Sequence, residues 1–199
     1  MPTGVAIRDA REQLFDAAER VLLRDGPNAL TSRSVTTEAG FAKGVLHRHF
    51  ADFDALLADL VLDRIAQIDH QAAALCNSAG TGTVADNLSG TLMALFGSVA
   101  VAIVALIISR DGLRARLRQT GSAGVPVLAE ATAMIASYLT IERELGRVAA
   151  DADVEMLAHL LIGTGHLLFA DREGVPPEAA ALERVVTMVI DGLVQEALL

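Results

Sequence analysis

Lysine occurs once in this chain of 199 residues, cysteine once, tyrosine once and tryptophan not at all. A lone cysteine, Cys76, cannot close an intrachain disulfide, so a reducing compartment, the cytoplasm, is the expectation. The opening MPTGVAIRDAREQLF lacks a basic stretch followed by an apolar one, so no secretory signal is expected. A formal net charge of -9 excludes a protein that coats nucleic acid indiscriminately, because that needs Lys and Arg spread over a whole face. Catalytic signatures are missing as well: there is no G-x-S-x-G, no H-E-x-x-H and no paired C-x-x-C. No G-x-G-x-x-G follows a strand, and Gly163-Thr164-Gly165 falls within a predicted helix. His47-Arg48-His49 is too short for a closed zinc site, which takes four ligands. The expectation is therefore a non-enzyme without metal or cofactor, a helical enzyme lacking a known motif being the alternative.

What is present points to helices. Apolar residues make up 52% and charged residues 21%, as in a folded globular protein, while Ala, Leu and Val dominate and β-branched alternation is scarce. Turn signals divide the chain into about nine helices. Leu14, Ala18, Val21 and Leu22 share one face of the first, near 8–24, which ends at Gly26-Pro27. Thr31 caps the second, which stops at Gly40, and the third covers 42–49. Asp52 caps a long fourth helix carrying Leu56, Leu57, Leu60, Val61, Ile65 and Ile68, and NSAGTGT, 77–83, reads as a loop. The remaining helices are expected near 84–109, 111–119, 126–142, 151–170 and 178–198. The fold expectation is all-α: a small head, residues 1–50, joined by the fourth helix to a larger apolar body, residues 51–199.

Residues 87–109, NLSGTLMALFGSVAVAIVALIIS, contain no charge and are long enough for a single membrane span, with Arg110, Arg114, Arg116 and Arg118 behind them. The competing reading is a helix buried on all sides in a helical domain. Small polar residues interrupt the run, no Trp or Tyr marks its ends, and the other segments are amphipathic, which favours burial and no membrane partner.

The sole lysine, Lys43, falls in TSRSVTTEAGFAKGVLHRHF, residues 31–50, with Arg33, Arg48, His47 and His49 and one acid, Glu38. Helix, Gly-containing turn and short helix is the layout of a helix-turn-helix. In the third helix Leu46 and Phe50 share the packing face, whereas Gly44, Val45, His47 and Arg48 point away from it. Arg48 and Lys43 suit phosphate or a guanine edge, Val45 a thymine methyl, and Gly44 a close backbone approach. Thr31, Ser32 and Arg33 open the second helix, where free N–H groups and hydroxyls suit a phosphate. From spacing alone, a helical hairpin with a solvated cationic face fits as well.

Residues 30–61, LTSRSVTTEAGFAKGVLHRHFADFDALLADLV, resemble the amino-terminal region of the TetR family of bacterial one-component transcription regulators. The shared features are the Glu-Ala-Gly turn, the Lys-Gly pair, the Leu-x-x-x-Phe frame and the Leu-Leu helix that follows. The resemblance implies an all-helical homodimer with a DNA-binding head and a ligand cavity in the body, released from its operator by a small molecule. It also implies that Thr31, Ser32, Arg33, Lys43, Gly44, Val45, His47 and His49 face DNA. The chain departs from the pattern at His47, usually Tyr, at Ala42, usually Ser or Thr, and at Phe53, usually a phosphate-binding Lys. Asp52 and Asp54 flank Phe53, and two carboxylates there should weaken phosphate binding.

Two apolar stripes mark the last helices: Val154, Leu157, Ala158, Leu161, Gly165 and Leu168, then Leu182, Val185, Val186, Val189, Ile190 and Leu193. They suit a four-helix interface between two copies or the protomer's own core; because Leu160 and Leu167 lie off the first stripe, burial on two sides is expected. Met93, Phe96, Met134 and Tyr138 are candidates to line an apolar cavity, with His159 and His166 as polar anchors, although each also fits plain core. Few polar groups on the central helices favour a lipophilic effector. The arginines at 110–118 read most simply as a solvated face.

Overall fold

The computed structural model describes residues 5–42, 44–121, 124–170, 177–191 and 193. Lys43 and the end of the last predicted helix therefore lie outside the described residues. Every regular element among those described is helical: α1 (Val5–Asp25), a 3-10 turn (Pro27–Ala29), α2 (Ser32–Glu38), α3 (Leu46–His49), α4 (Phe53–Asn77), α5 (Val84–Phe96), α6 (Ala100–Ser109), α7 (Asp111–Gln119), α8 (Leu128–Glu144), α9 (Val154–Ala170) and α10 (Ala179–Ile190). The chain divides into two compact units, residues 1–63 with 102–125, and residues 64–101 with 126–199.

In the first unit α1 packs on α2 and buries Leu14, Ala17, Ala18, Val21 and Leu22. Leu46 and Phe50 of the Leu-x-x-x-Phe frame are buried, and the Phe50 ring lies 6.0 Å from that of Phe15. Arg11 closes this corner: its guanidinium sits 4.5 Å from the Phe50 ring centre and bonds Asp59 of α4 at 2.7 Å. The predicted caps are in place. Thr31 and Ser34 exchange side-chain and backbone bonds in a capping box at the start of α2, and Asp52 accepts the Ala55 N–H at 2.7 Å. Gly40 ends the α2 segment at φ +70°, a conformation that side chains with a Cβ resist.

Two boundaries differ from the sequence reading. The helix expected over 42–49 is regular only from Leu46, because its first turn is tighter, with the Val45 N–H on the Ala42 carbonyl. The helix expected over 84–109 is two helices, α5 and α6, with a break at residues 97–99. At the break the Ser98 hydroxyl donates to the Leu95 carbonyl and accepts the Ala100 N–H, replacing helical bonds; a Cβ on Gly97 would stand 2.7 Å from the Met93 carbonyl oxygen. No single helix among the described residues is long and apolar enough to cross a membrane, and Ala102, Ile103, Val104, Leu106 and Ile107 in the apolar run are all buried.

In the second unit α9 packs on α5, α8 and α10, and α10 also packs on α5. The inner stripes of the last two helices face the protomer's own core: Val154, Leu157, Ala158, Leu161, Gly165, Leu182, Val186 and Ile190 are buried. Beside them Met156, Leu160 and Leu167 of α9 and Met188 of α10 are 47–80% exposed. A buried charge network pins the loop before α5. Glu142, 0% exposed, lies 3.4 Å from Arg147 and accepts the Gly80 N–H at 3.3 Å. Tyr138 beside it accepts from Asn87, which also donates to the Thr81 carbonyl. Burial, then the Glu142 carboxylate, pushes the Tyr138 phenol above its ordinary range.

Candidate nucleic-acid interface

Helix α2, the Gly40 turn and α3 present one polar surface. Thr31 and Arg33 are exposed at the start of α2; Gly44, His47 and Arg48 are exposed around α3, with Val45 and His49 half-buried. Neither Arg33 nor Arg48 has a side-chain hydrogen bond or ion pair among the described residues. The Thr31 hydroxyl is committed to its cap, accepting the Ser34 N–H at 3.1 Å, and the Thr31 N–H donates to the Ser34 hydroxyl at 2.9 Å. That leaves the Ser32 and Arg33 amides at the α2 start. The Ser32 hydroxyl is buried without a partner.

Carboxylates around this surface are all answered by arginines from elsewhere. Glu38 receives Arg20 at 2.9 Å and Arg24 at 3.0 Å, both from α1, and these two bonds hold its carboxyl below the usual carboxylate range. Asp52 pairs with Arg116 at 2.7 Å, and Asp54 lies 3.4 Å from Arg110. The arginines of α7 and its approach, expected to form a solvated face, thus neutralise the two acids expected to repel phosphate. Phe53, which stands where a lysine is usual, carries the Arg110 guanidinium 5.3 Å from its ring centre. Sequence reasoning missed these pairs because nothing local links residues 52–54 to 110–116.

Residues 14–60 match the family model described as bacterial regulatory proteins, tetR family. Over those residues the chain carries the amino-terminal domain of the TetR family. The match covers α2, the turn and α3 entirely. No curated protein sequence matches. Solved structures share the fold along most of the chain. FadR from Bacillus subtilis in complex with stearoyl-CoA superposes with a TM-score of 0.68 at 18% identity, covering 92% of this chain and 98% of that one. Reduced NemR from E. coli gives 0.74 at 16%, covering 96% and 100%. A TetR-family regulator from Mesorhizobium loti gives 0.62 at 18%, covering 91% and 93%.

The six residues expected around a ligand are spread through the second unit. Tyr138, Met134 and Phe96 are buried and Met93 is half-buried. Phe96 lies flush on α9, where a Cβ on Gly165 would come within 2.3 Å of its ring, and it stacks on Phe169 at 5.7 Å. His159 is exposed with its ring against the Glu155 carbonyl at 2.7 Å. The Nδ1 of His166 is buried and unpartnered, and burial lowers that imidazole's pKa. A groove of about 380 Å³ opens elsewhere in the unit, lined by Gln71, Ala74, Leu75, Ser78, Asp86, Asn87, Gly90, Thr91 and Ala94, none of them among the six.

Proposed function

We propose that this TetR-family protein is a repressor that binds a near-palindromic operator as a homodimer and leaves it when a lipophilic small molecule binds. Residues 1–50 form the DNA-binding head and residues 51–199 the ligand-binding and dimerisation body. The observation that carries the reading is that Arg33 and Arg48 stand exposed and unpaired on the helix-turn-helix, while the neighbouring acids Glu38, Asp52 and Asp54 face arginines of the protein itself. In a chain of net charge -9, two unpaired arginines beside neutralised acids make this surface able to take a polyanion. Lys43, Thr31, Ser32, Gly44, Val45, His47 and His49 complete the DNA-facing set.

The dimer is assigned to α9 and α10. Met156, Leu160, Leu167 and Met188 form an exposed apolar face beside stripes already used for the protomer's core, and burying such a face against its symmetry mate is the common route to a two-fold dimer. Two heads would then address half-sites about 34–36 Å apart. The largely apolar interior of the body, with Met93, Phe96, Met134 and Tyr138 among its side chains and His159 and His166 as polar groups, supports a lipophilic effector. FadR from Bacillus subtilis, of the same fold, binds stearoyl-CoA. The protein acts in the cytoplasm and catalyses no reaction.

Selecting fragments of the source genome on the purified protein, then titrating stearoyl-CoA and oleate into free and DNA-bound protein, tests the whole reading. Weaker ligand binding in the presence of DNA is the expected result, by reciprocity of coupled sites. Equal affinities would exclude an inducer of this class. Leu160→Glu with Leu167→Glu should convert the protein from dimer to monomer in sedimentation velocity, and a wild-type monomer at micromolar concentration would remove the dimer.

A further inference from the structure

We propose that Arg110 is a positioning residue of the DNA-binding surface: from the corner between α6 and α7 it holds the chain just before α2 and just after α3. The inference rests on reading residues 31–49 as the DNA-facing surface. Arg110 lies well outside residues 14–60, so the family match does not include it.

Three groups converge on this one side chain. Its Nη1 donates to the Leu30 carbonyl at 3.1 Å, one residue ahead of the Thr31 cap. Its Nη2 lies 3.4 Å from Asp54 Oδ1, and its guanidinium covers the Phe53 ring. That Asp54 oxygen is buried and accepts no hydrogen bond among the described residues, so the Arg110 charge is what compensates it. Arg116, farther along α7, repeats the grip on Asp52, whose other oxygen caps α4. Gly112 leaves room for that carboxylate: a Cβ there would stand 2.7 Å from Asp54 Oδ2, so the carboxylate would have to swing out of its present place beside Arg110.

A planar guanidinium can serve a carbonyl, a carboxylate and a ring at once, each from a different edge or face; a lysine ammonium, with one point of charge, cannot. Leu30 and Phe53–Asp54 bracket the helix-turn-helix in sequence. Fixing both ends from a third segment sets the distance over which α2 and α3 are held, and any displacement of the α6–α7 corner is passed to them. The side chain need not touch DNA to do this.

The test uses Arg110→Met and, as a variant that keeps every charge, Gly112→Ala, in the full-length protein. Three readouts are compared: affinity for a duplex selected from the source genome, the salt dependence of that affinity, and amide hydrogen exchange. Both variants should bind the duplex more weakly by a factor within about 5- to 150-fold, the usual span of coupling between separated sites. The salt slope should keep its magnitude, because no phosphate contact has been removed. Exchange should quicken at residues 31–49 and stay unchanged in α9. Unaltered affinity and exchange in both variants would overturn the assignment, and a slope reduced by about one in Arg110→Met would make Arg110 a phosphate ligand instead. Failure of the unaltered protein to retain any duplex would remove the DNA-binding reading itself, while the exchange measurement would still decide whether Arg110 holds the head.

Discussion

Two groups of arginines in the first unit have opposite surroundings. Arg33 and Arg48 project from α2 and α3 without a partner, whereas Arg110, Arg114 and Arg116 each meet an aspartate. Sequence alone marks residues 110–118 as the more basic stretch, with four arginines in nine residues, of which only Arg118 has no ion pair among the described residues. Once folded, the ranking reverses, because a charge already answered by the protein has little left to offer a ligand. An arginine's availability, more than its presence, marks the surface that can take a polyanion.

The sharpest contrast comes from a cation paired with a buried carboxylate. Replacing Arg147 by Met strands the Glu142 carboxylate, 0% exposed, and should destabilise the fold by about 3–5 kcal/mol in urea unfolding. If the loss is close to zero, pairing is not what separates the two groups. Next in size, Arg33→Ala and Arg48→Ala should each weaken operator binding, by about 1–3 kcal/mol where a base edge is lost or with a salt slope smaller by about one where a phosphate is lost. Arg114→Ala, which removes a partner of Asp111, should do neither. Equal losses from Arg114→Ala and Arg48→Ala would erase the distinction.

The smallest effect is expected at the exposed clasp of Glu38 with Arg20 and Arg24. Those arginines hold the folded-state carboxyl below its ordinary range, so the clasp contributes stability above the unfolded-state value, about pH 4.3, and loses it as pH falls through the lower folded-state value. Glu38→Gln should therefore be slightly less stable than the parent at pH 7, with the gap closing toward pH 3. A gap that widens in acid would show that the carboxylate is not the favoured form in the fold.

Much of the fold is legible in local sequence because its signals are local. Thr31 and Asp52 cap the helices they precede, Gly40 takes the left-handed turn, and the 3.6-residue period picks out the buried faces of α1 and α4. The bend at Gly97–Ser98 escaped because a small polar pair inside an apolar run is a weak breaker until its side-chain bonds form. The grip of Arg110 and Arg116 escaped for a different reason. Ion pairs between residues 64 positions apart, as Asp52 and Arg116 are, depend on tertiary placement, and periodicity carries no information about it. The buried Glu142 is the same case, since its burial follows from the packing of a loop 62 residues away.

The pairing of Arg11, Arg20, Arg24, Arg110, Arg114 and Arg116 with the protein's own acids also bears on how the protein would find its site. At physiological ionic strength a charge is felt over only about 8 Å, so a chain of net charge -9 offers DNA no distant attraction and only a small cationic contact close in. Encounter is then slower than for a basic protein, and residence on unrelated sequence is brief, since non-specific affinity comes almost wholly from phosphate neutralisation. Few molecules are held on the rest of the genome. Occupancy of an operator can then be kept by a small cellular pool, and it is set by the ratio of specific to non-specific binding more than by absolute affinity.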